Sequence, residues 1–151
     1  MPPNPFMQTV LITGAASGIG RDTARLFARA GWQCVLVDYN EEALRAVGES
    51  LPAPADAAHV LRTIDLTDAQ QVATLREGTP ALDAILNNAG MSDSSNTPLV
   101  EQDAIKMGRL LALNLAAPAA VVDACRPLLK PGARIVNVSS GAGLNAIPWR
   151  G

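Results

Sequence analysis

Short, almost wholly apolar runs alternate along this chain with longer stretches in which apolar residues recur every three or four positions. TVLIT (9–13) is the first run, and its unbroken apolar character predicts a strand covered on both faces. From Gly18 to Ala30 the spacing becomes helical, with Ile19, Thr23, Leu26, Phe27 and Ala30 predicted to share one face. The alternation then repeats. CVLVD (34–38) reads as a strand, EEALRAVGE (41–49) as a helix and HVLRTID (59–65) as a strand, after which a helix opens at Thr67 or Asp68. LDAILN (82–87) is the fourth strand, a helical stretch runs from about Val100 to Leu129, and ARIVNVS (133–139) ends the series.

Strands separated by helices imply a parallel sheet with right-handed crossovers. The expected fold is α/β: a doubly wound parallel sheet, Rossmann-like, in three layers, whose ligand crevice opens beyond the carboxyl ends of the strands. At 151 residues the chain is expected to be one domain, 1–151, with an irregular tail over 1–7. The stretch SDSSNTP (92–98) alone has a linker's character.

Composition narrows the function by exclusion. Apolar residues make up 48% and charged residues 17%, an ordinary soluble composition. A net charge of −2 with no basic run leaves no electrostatic footprint for a polyanion, so neither nucleic acid nor an acidic membrane is expected as a partner. LLALNLAAPAAVVDAC is interrupted by Asn114, Pro118 and Asp123, short of a membrane span, and MPPNPFMQTV carries no basic residue of a secretory leader. A cytoplasmic protein is expected. Cys34 and Cys125 read as reduced core thiols, and His59, with no Cys, Asp or Glu at metal spacing, reads as incidental.

The candidate chemistry falls at strand ends. Thr13-Gly-Ala-Ala-Ser-Gly-Ile-Gly20 joins the first strand to the first helix, and its glycines at 14, 18 and 20 let a pyrophosphate approach the helix N-terminus. The spacing is G-x-x-x-G-x-G and not the usual G-x-G-x-x-G, so a bare structural turn is the plainer alternative. Arg21 and Asp22 after Gly20 exclude a GxxxxGK[ST] triphosphate loop. Asp38 ends the second strand where an acid should meet an adenosine ribose; its plainer alternative is a solvated strand-end or N-cap acid. A carboxylate there accepts from the 2′- and 3′-hydroxyls, whereas a 2′-phosphate would face a like charge at a cost on the order of several kcal/mol. Ser17 and Tyr39 stand where an arginine could rescue the phosphate, so NAD is expected over NADP.

Taken together, TGAASGIG (13–20), Asp65-Leu66, NNAG (87–90), Asn114 and VNVSSGAG (136–143) resemble, in order and approximate spacing, the short-chain dehydrogenase/reductase family over essentially the whole chain. The resemblance implies that Gly14, Ser17, Gly18, Ile19 and Gly20 hold the pyrophosphate and its sugars, and Asp65 and Leu66 the adenine. It assigns Asn88, Ala89 and Gly90 to the nicotinamide-side ribose. Ser140 matches the catalytic serine, whose hydroxyl would bond the substrate oxygen as charge develops there. Asn114 would anchor a water of the proton relay. Its backbone agrees, because Pro118 offers no N–H to the Asn114 carbonyl; the helix either kinks there or breaks at Asn114 and restarts.

The resemblance also implies a tyrosine and a lysine four residues after it, which would be expected beyond Gly151. Tyr39 is the sole tyrosine and adjoins the ribose acid, at the other end of the cofactor. The expectation is thus the cofactor-binding part of a C-terminally truncated NAD-dependent oxidoreductase acting on a secondary alcohol or ketone. A non-catalytic dinucleotide-binding module is the alternative. A methyltransferase on a similar sheet is disfavoured by the order of NNAG and the serine loop. Leu144, Ile147 and Trp149 are expected to line a substrate pocket or pack as ordinary loop. A homo-oligomer is implied, since the family's long helix packs on a partner.

Overall fold

The computed structural model describes residues 7–54, 57–92 and 103–141. The expectations for the tail over 1–6, for most of the 92–98 stretch, and for Gly143, Leu144, Ile147 and Trp149 lie outside these residues.

Five parallel strands form one sheet in the order β3-β2-β1-β4-β5. They are β1 (Thr9–Thr13), β2 (Gln33–Asp38), β3 (Val60–Thr63), β4 (Leu82–Asn87) and β5 (Leu129–Asn137). The connecting helices are α1 (Gly18–Arg29), α2 (Glu41–Ser50), the short α3 (Ala69–Ala73), α4 (Ala104–Leu111) and α5 (Ala117–Cys125). Alternation along the central strands divides the core. Val10, Ile12, Cys34 and Leu36 pack under α1 and α2, while Leu11, Val35, Val37 and Ile85 face Val72, Val121 and Cys125 of α3 and α5. This is the expected three-layer Rossmann-like arrangement, and β1 and β4 match their expected bounds.

The face of α1 differs from expectation. Gly20, Ala24 and Ala28 are buried, whereas Ile19 and Leu26 are exposed. Small residues at this spacing let the helix axis approach the sheet, which the bulkier stripe would hold off. β5 begins earlier than expected, at Leu129, because a register irregularity around Pro131 and Gly132 (φ +81°) separates Leu129 from the pairing that resumes at Arg134. Ile135, Val136 and Val138 are exposed.

The long helix neither breaks nor restarts at Asn114. Right-handed helical geometry continues from α4 into α5 through a π-turn over Ala112–Ala116, closed by Ala117 N–H donating to the Ala112 carbonyl. A π-turn is one way a helix absorbs the N–H that Pro118 lacks. By length and apolarity the stretch Ala104–Leu128 could cross a membrane, but Ala117, Val121 and Cys125 seat it on the sheet.

His59 is not incidental. Its Nδ1 accepts from Cys34 N–H at 3.1 Å and its Nε2 lies 3.1 Å from the Pro52 carbonyl, tying the start of β3 to β2 and to the chain after α2. Cys34 and Cys125 are free and buried as expected, and burial pushes their thiols up to about 12 and about 11.

At the amino ends of the strands, Lys130 Nζ lies 2.7 Å from Asp83 Oδ2 and donates to the Met7 carbonyl at 3.1 Å. The same Asp83 oxygen accepts from Thr9 N–H at 2.8 Å. One carboxylate thereby joins β1, β4 and β5 at the end of the sheet away from the crevice.

Candidate functional site

The order of the sheet reverses between β1 and β4, and the carboxyl ends of these two strands open a cleft of about 550 Å³. That volume lies within the range of sites that enclose a small organic ligand. Gly14, Ser17, Gly18, Ile19, Asp38, Asp65, Leu66, Asn88, Ala89 and Gly90 all line it. Tyr39, expected beside the ribose acid, lines it too, as do Ala16, Asn40, Ala43, Ile64 and Leu113, which the sequence did not single out. Gly20, Asn114 and Ser140 are not among the lining residues.

The amino end of α1 faces this cleft without a side-chain cap. Ser17 occupies the N-cap with an extended backbone, its hydroxyl makes no cap hydrogen bond, and no acidic residue follows in the first turn. The contrast with the other helices is direct. Asn40 caps α2, Asp68 caps α3 and Asp103 caps α4, each by a side-chain oxygen. Gln71's side-chain amide and the N–H groups of Gln71 and Gln70 hold the Asp68 carboxyl below its usual range. The first-turn donors of α1 are left for something other than a side chain, and the helix dipole favours an anion there.

Gly20 shapes the turn from behind. A Cβ at Gly20 would meet the Gly14 carbonyl oxygen at 2.1 Å and Asn88 Nδ2 at 2.6 Å. At Gly14, whose φ is +67°, a Cβ would meet Ala89 Cα at 2.9 Å. Both positions require glycine, one for closeness of approach and the other for closeness and backbone conformation together.

Asp38 ends β2 almost wholly buried, at 8% exposure. Its Oδ2 accepts from Ala16 N–H and its Oδ1 from Asn40 N–H, both at 3.0 Å. The acid is thus held at the cleft by the glycine turn on one side and the start of α2 on the other. Each oxygen keeps a further acceptor position, since a carboxylate offers about four. Beside it, just past β3, Leu66 and Ile64 are buried, while Asp65 is exposed and uses Oδ1 to accept from the N–H and hydroxyl of Thr67 at 2.9 and 2.7 Å.

The NNAG segment fastens the turn. Asn88 Nδ2 donates to the Thr13 carbonyl at 3.0 Å and to that of Gly14 at 3.4 Å. The Thr13 hydroxyl in return accepts from the N–H groups of Asn88 and Ala89, each at 3.0 Å. Asn88's amide nitrogen therefore holds the end of the first strand and the start of the turn. Asn87, buried, donates to Asn137 Oδ1 at 2.9 Å, and its own Oδ1 has no partner among the described residues.

Asn114 acts through its side chain. Its Oδ1 accepts from Met91 N–H at 2.9 Å and its Nδ2 donates to the Met91 carbonyl at 2.8 Å, so the π-turn grips the backbone just after Gly90. A Cβ at Gly90 would stand 3.2 Å from Asn114 Oδ1. Ser140 lies on an exposed segment three residues past β5, at the same carboxyl edge of the sheet, where Val138 N–H still donates to the Asn87 carbonyl at 2.8 Å.

A Rossmann-like sheet whose switch point carries a glycine turn, an uncapped helix and a fixed acid defines a dinucleotide-binding class of protein. The chain belongs to the short chain dehydrogenase family, whose model matches residues 8–151. It is 34% identical to 3beta-hydroxysteroid dehydrogenase 2 of Eggerthella lenta, with 95% of this chain and 58% of that protein covered. It is 33% identical to the short-chain type dehydrogenase/reductase y4vI of Sinorhizobium fredii, covering 95% of this chain and 26% of that one. The chain thus spans from about a quarter to just over half the length of these relatives. A metagenomic short-chain oxidoreductase solved in complex with NADP superposes with a TM-score of 0.82 at 29% identity, over 95% of this chain and 66% of that one. Other solved relatives were captured with NADP or NADPH.

Proposed function

We propose that this chain is the cofactor-binding part of an NAD-dependent oxidoreductase that moves a hydride between NAD(H) and a secondary alcohol or ketone. The observation that carries the cofactor choice is Asp38, pinned at the cleft by two backbone N–H groups. A carboxylate that cannot swing aside accepts from ribose hydroxyls and opposes a 2′-phosphate. The NADP found in solved relatives belongs to those proteins, and the acid at position 38 is the reason we do not extend it here.

In this reading the first turn of α1 and Ser17 receive the pyrophosphate, Asp38 the adenosine ribose, Asp65 and Leu66 the adenine, and Ala89 and Gly90 the second ribose. When bound, the cofactor supplies the hydride-accepting or hydride-donating ring. Ser140 donates a hydrogen bond to the substrate oxygen as negative charge grows on it. Asn114, by holding Met91, keeps the segment after β4 in register with that reaction, and its backbone carbonyl belongs to the proton path. We place the protein in the cytoplasm as a homo-oligomer joined through the exposed side of the long helix, where Ile105, Leu111 and Leu115 project.

A second reading is a dinucleotide-binding module without turnover. Calorimetric titration of the purified chain with NAD and NADP tests the cofactor, with NAD expected to bind at least tenfold tighter. Equal or stronger binding of NADP would refute that preference. Formation of NADH from a panel of secondary alcohols separates an enzyme from a module.

A further inference from the structure

We propose that His59 is an acid-released clasp on the edge of the sheet: its neutral ring supplies a rung between β2 and β3, and a proton on Nδ1 removes that rung. β3 has only β2 as a neighbour, and their backbone pairing starts at Val35 with Val60. One residue earlier the rung is a side chain. The Cys34 N–H, which can only donate, reaches His59 Nδ1 at 3.1 Å. On the other side of the ring, Nε2 lies 3.1 Å from the Pro52 carbonyl, which can only accept. These two partners fix the tautomer: Nδ1 is bare to receive the Cys34 hydrogen, and Nε2 carries the ring's one hydrogen toward Pro52. A second proton has one place to go, Nδ1, where it would set N–H against N–H. The rung then opens and the Cys34 N–H loses its acceptor.

The ring makes no ion pair among the described residues that would hold such a proton. Gln33, beside Cys34 on β2, donates its amide to the Ala58 carbonyl at 2.8 Å, and the buried Cys34 thiol points toward the Ala24 carbonyl of α1, at 3.7 Å. Glu49, at the end of α2, is exposed, and Arg62, three residues along β3, gives its guanidinium to the Thr74 and Glu77 carbonyls. Asp56, the nearest acid along the chain, lies outside the described residues. The strand that the clasp holds reaches the cleft at its other end, where Ile64 N–H donates to the Asp38 carbonyl at 2.9 Å and Ile64 and Leu66 line the opening. An edge strand of four residues, Val60–Thr63, has few bonds to lose. Acidification therefore loosens β3 from β2 ahead of the central strands.

His59 is the only histidine of the 151 residues, so the imidazole nitrogen signals in an NMR titration of the chain belong to it alone. At about pH 7.5 they should show a hydrogen on Nε2 and none on Nδ1. Between there and about pH 5, the span in which an imidazole ordinarily titrates, exchange protection of the Cys34 amide should fall about tenfold relative to that of Leu11 on β1, in step with the ring. His59→Asn places near Nδ1 an amide oxygen that takes up no proton in this span, and its Cys34 amide should keep constant protection relative to Leu11. His59→Leu, with no acceptor, should leave that amide poorly protected at both ends of the titration. An Nδ1–H tautomer at the upper end, protonation of the ring with no change at Cys34, or a ring that stays neutral throughout would overturn the clasp. A fall in His59→Asn equal to that of wild type would also overturn it, by assigning the loss to another group. The three wild-type readouts decide the matter by themselves if a variant does not fold.

Discussion

At Gly20 a single hydrogen atom separates a working turn from a collision. The two nearest obstacles to a methyl group there are a backbone oxygen and an amide already bonded to that backbone, and neither can rotate away. Gly20→Ala should therefore cost about 3 kcal/mol, at the upper end of overpacking penalties, read as a lowered urea midpoint. Asp38→Asn should cost about 2 kcal/mol even without ligand, because an amide has one oxygen for two N–H donors and must turn its NH₂ toward the other. The same variant should not gain NADP, since no cation is introduced. The glycine turn at Gly14 and Gly20 and an acid at the end of the second strand were legible in spacing alone. That Asn88 grips Thr13 was not, because the partners lie 75 positions apart and only the folded sheet brings them together.

Among the elements, the buried strands were the easiest to read: β1 and β4 are covered on both faces, and an unbroken apolar run has few other ways to be stable. The helices were harder. α1 turns Ile19 and Leu26 outward while Phe27 packs on the core, so periodicity in side-chain size pointed only partly to the right face, and Gly20, Ala24 and Ala28 made the close contact. The π-turn was half legible, in that Pro118 announced a disturbance but not its form. Asn114→Ala should free both backbone groups of Met91; hydrogen exchange at that amide should quicken while the buried Val121 stays protected. Cys34 adds a pH dependence to β2. Its folded pKa, about 12, lies above the ordinary thiol value of 9.0, so the stability carried by the neutral thiol is whole below pH 9.0 and is lost as pH rises toward 12. Urea midpoints measured across that window should fall, and a thiol reagent at neutral pH should label Cys34 and Cys125 only after unfolding.

For the molecule as a whole, the strands of the sheet are covered unequally. α1, α2, α3 and α5 bury the central strands, whereas Ile135, Val136 and Val138 of β5 and its continuation stand open, as do Leu111 and Leu115 on the long helix. If the long helix joins copies, Leu115→Glu should reduce the sedimenting species to a monomer without shifting its far-ultraviolet circular dichroism. Layering and strand number were legible at this scale because alternation of element types dictates them; which apolar surfaces remain bare was not, since composition counts residues without saying what lies over them. The uncapped start of α1 reaches furthest in practice. Donors that no side chain answers will attract whatever oxyanion the solvent offers, so inorganic phosphate or sulfate should compete with the cofactor. A dissociation constant for NAD measured in phosphate buffer should come out weaker than one measured in an amine buffer with chloride, and the gap should widen with phosphate concentration.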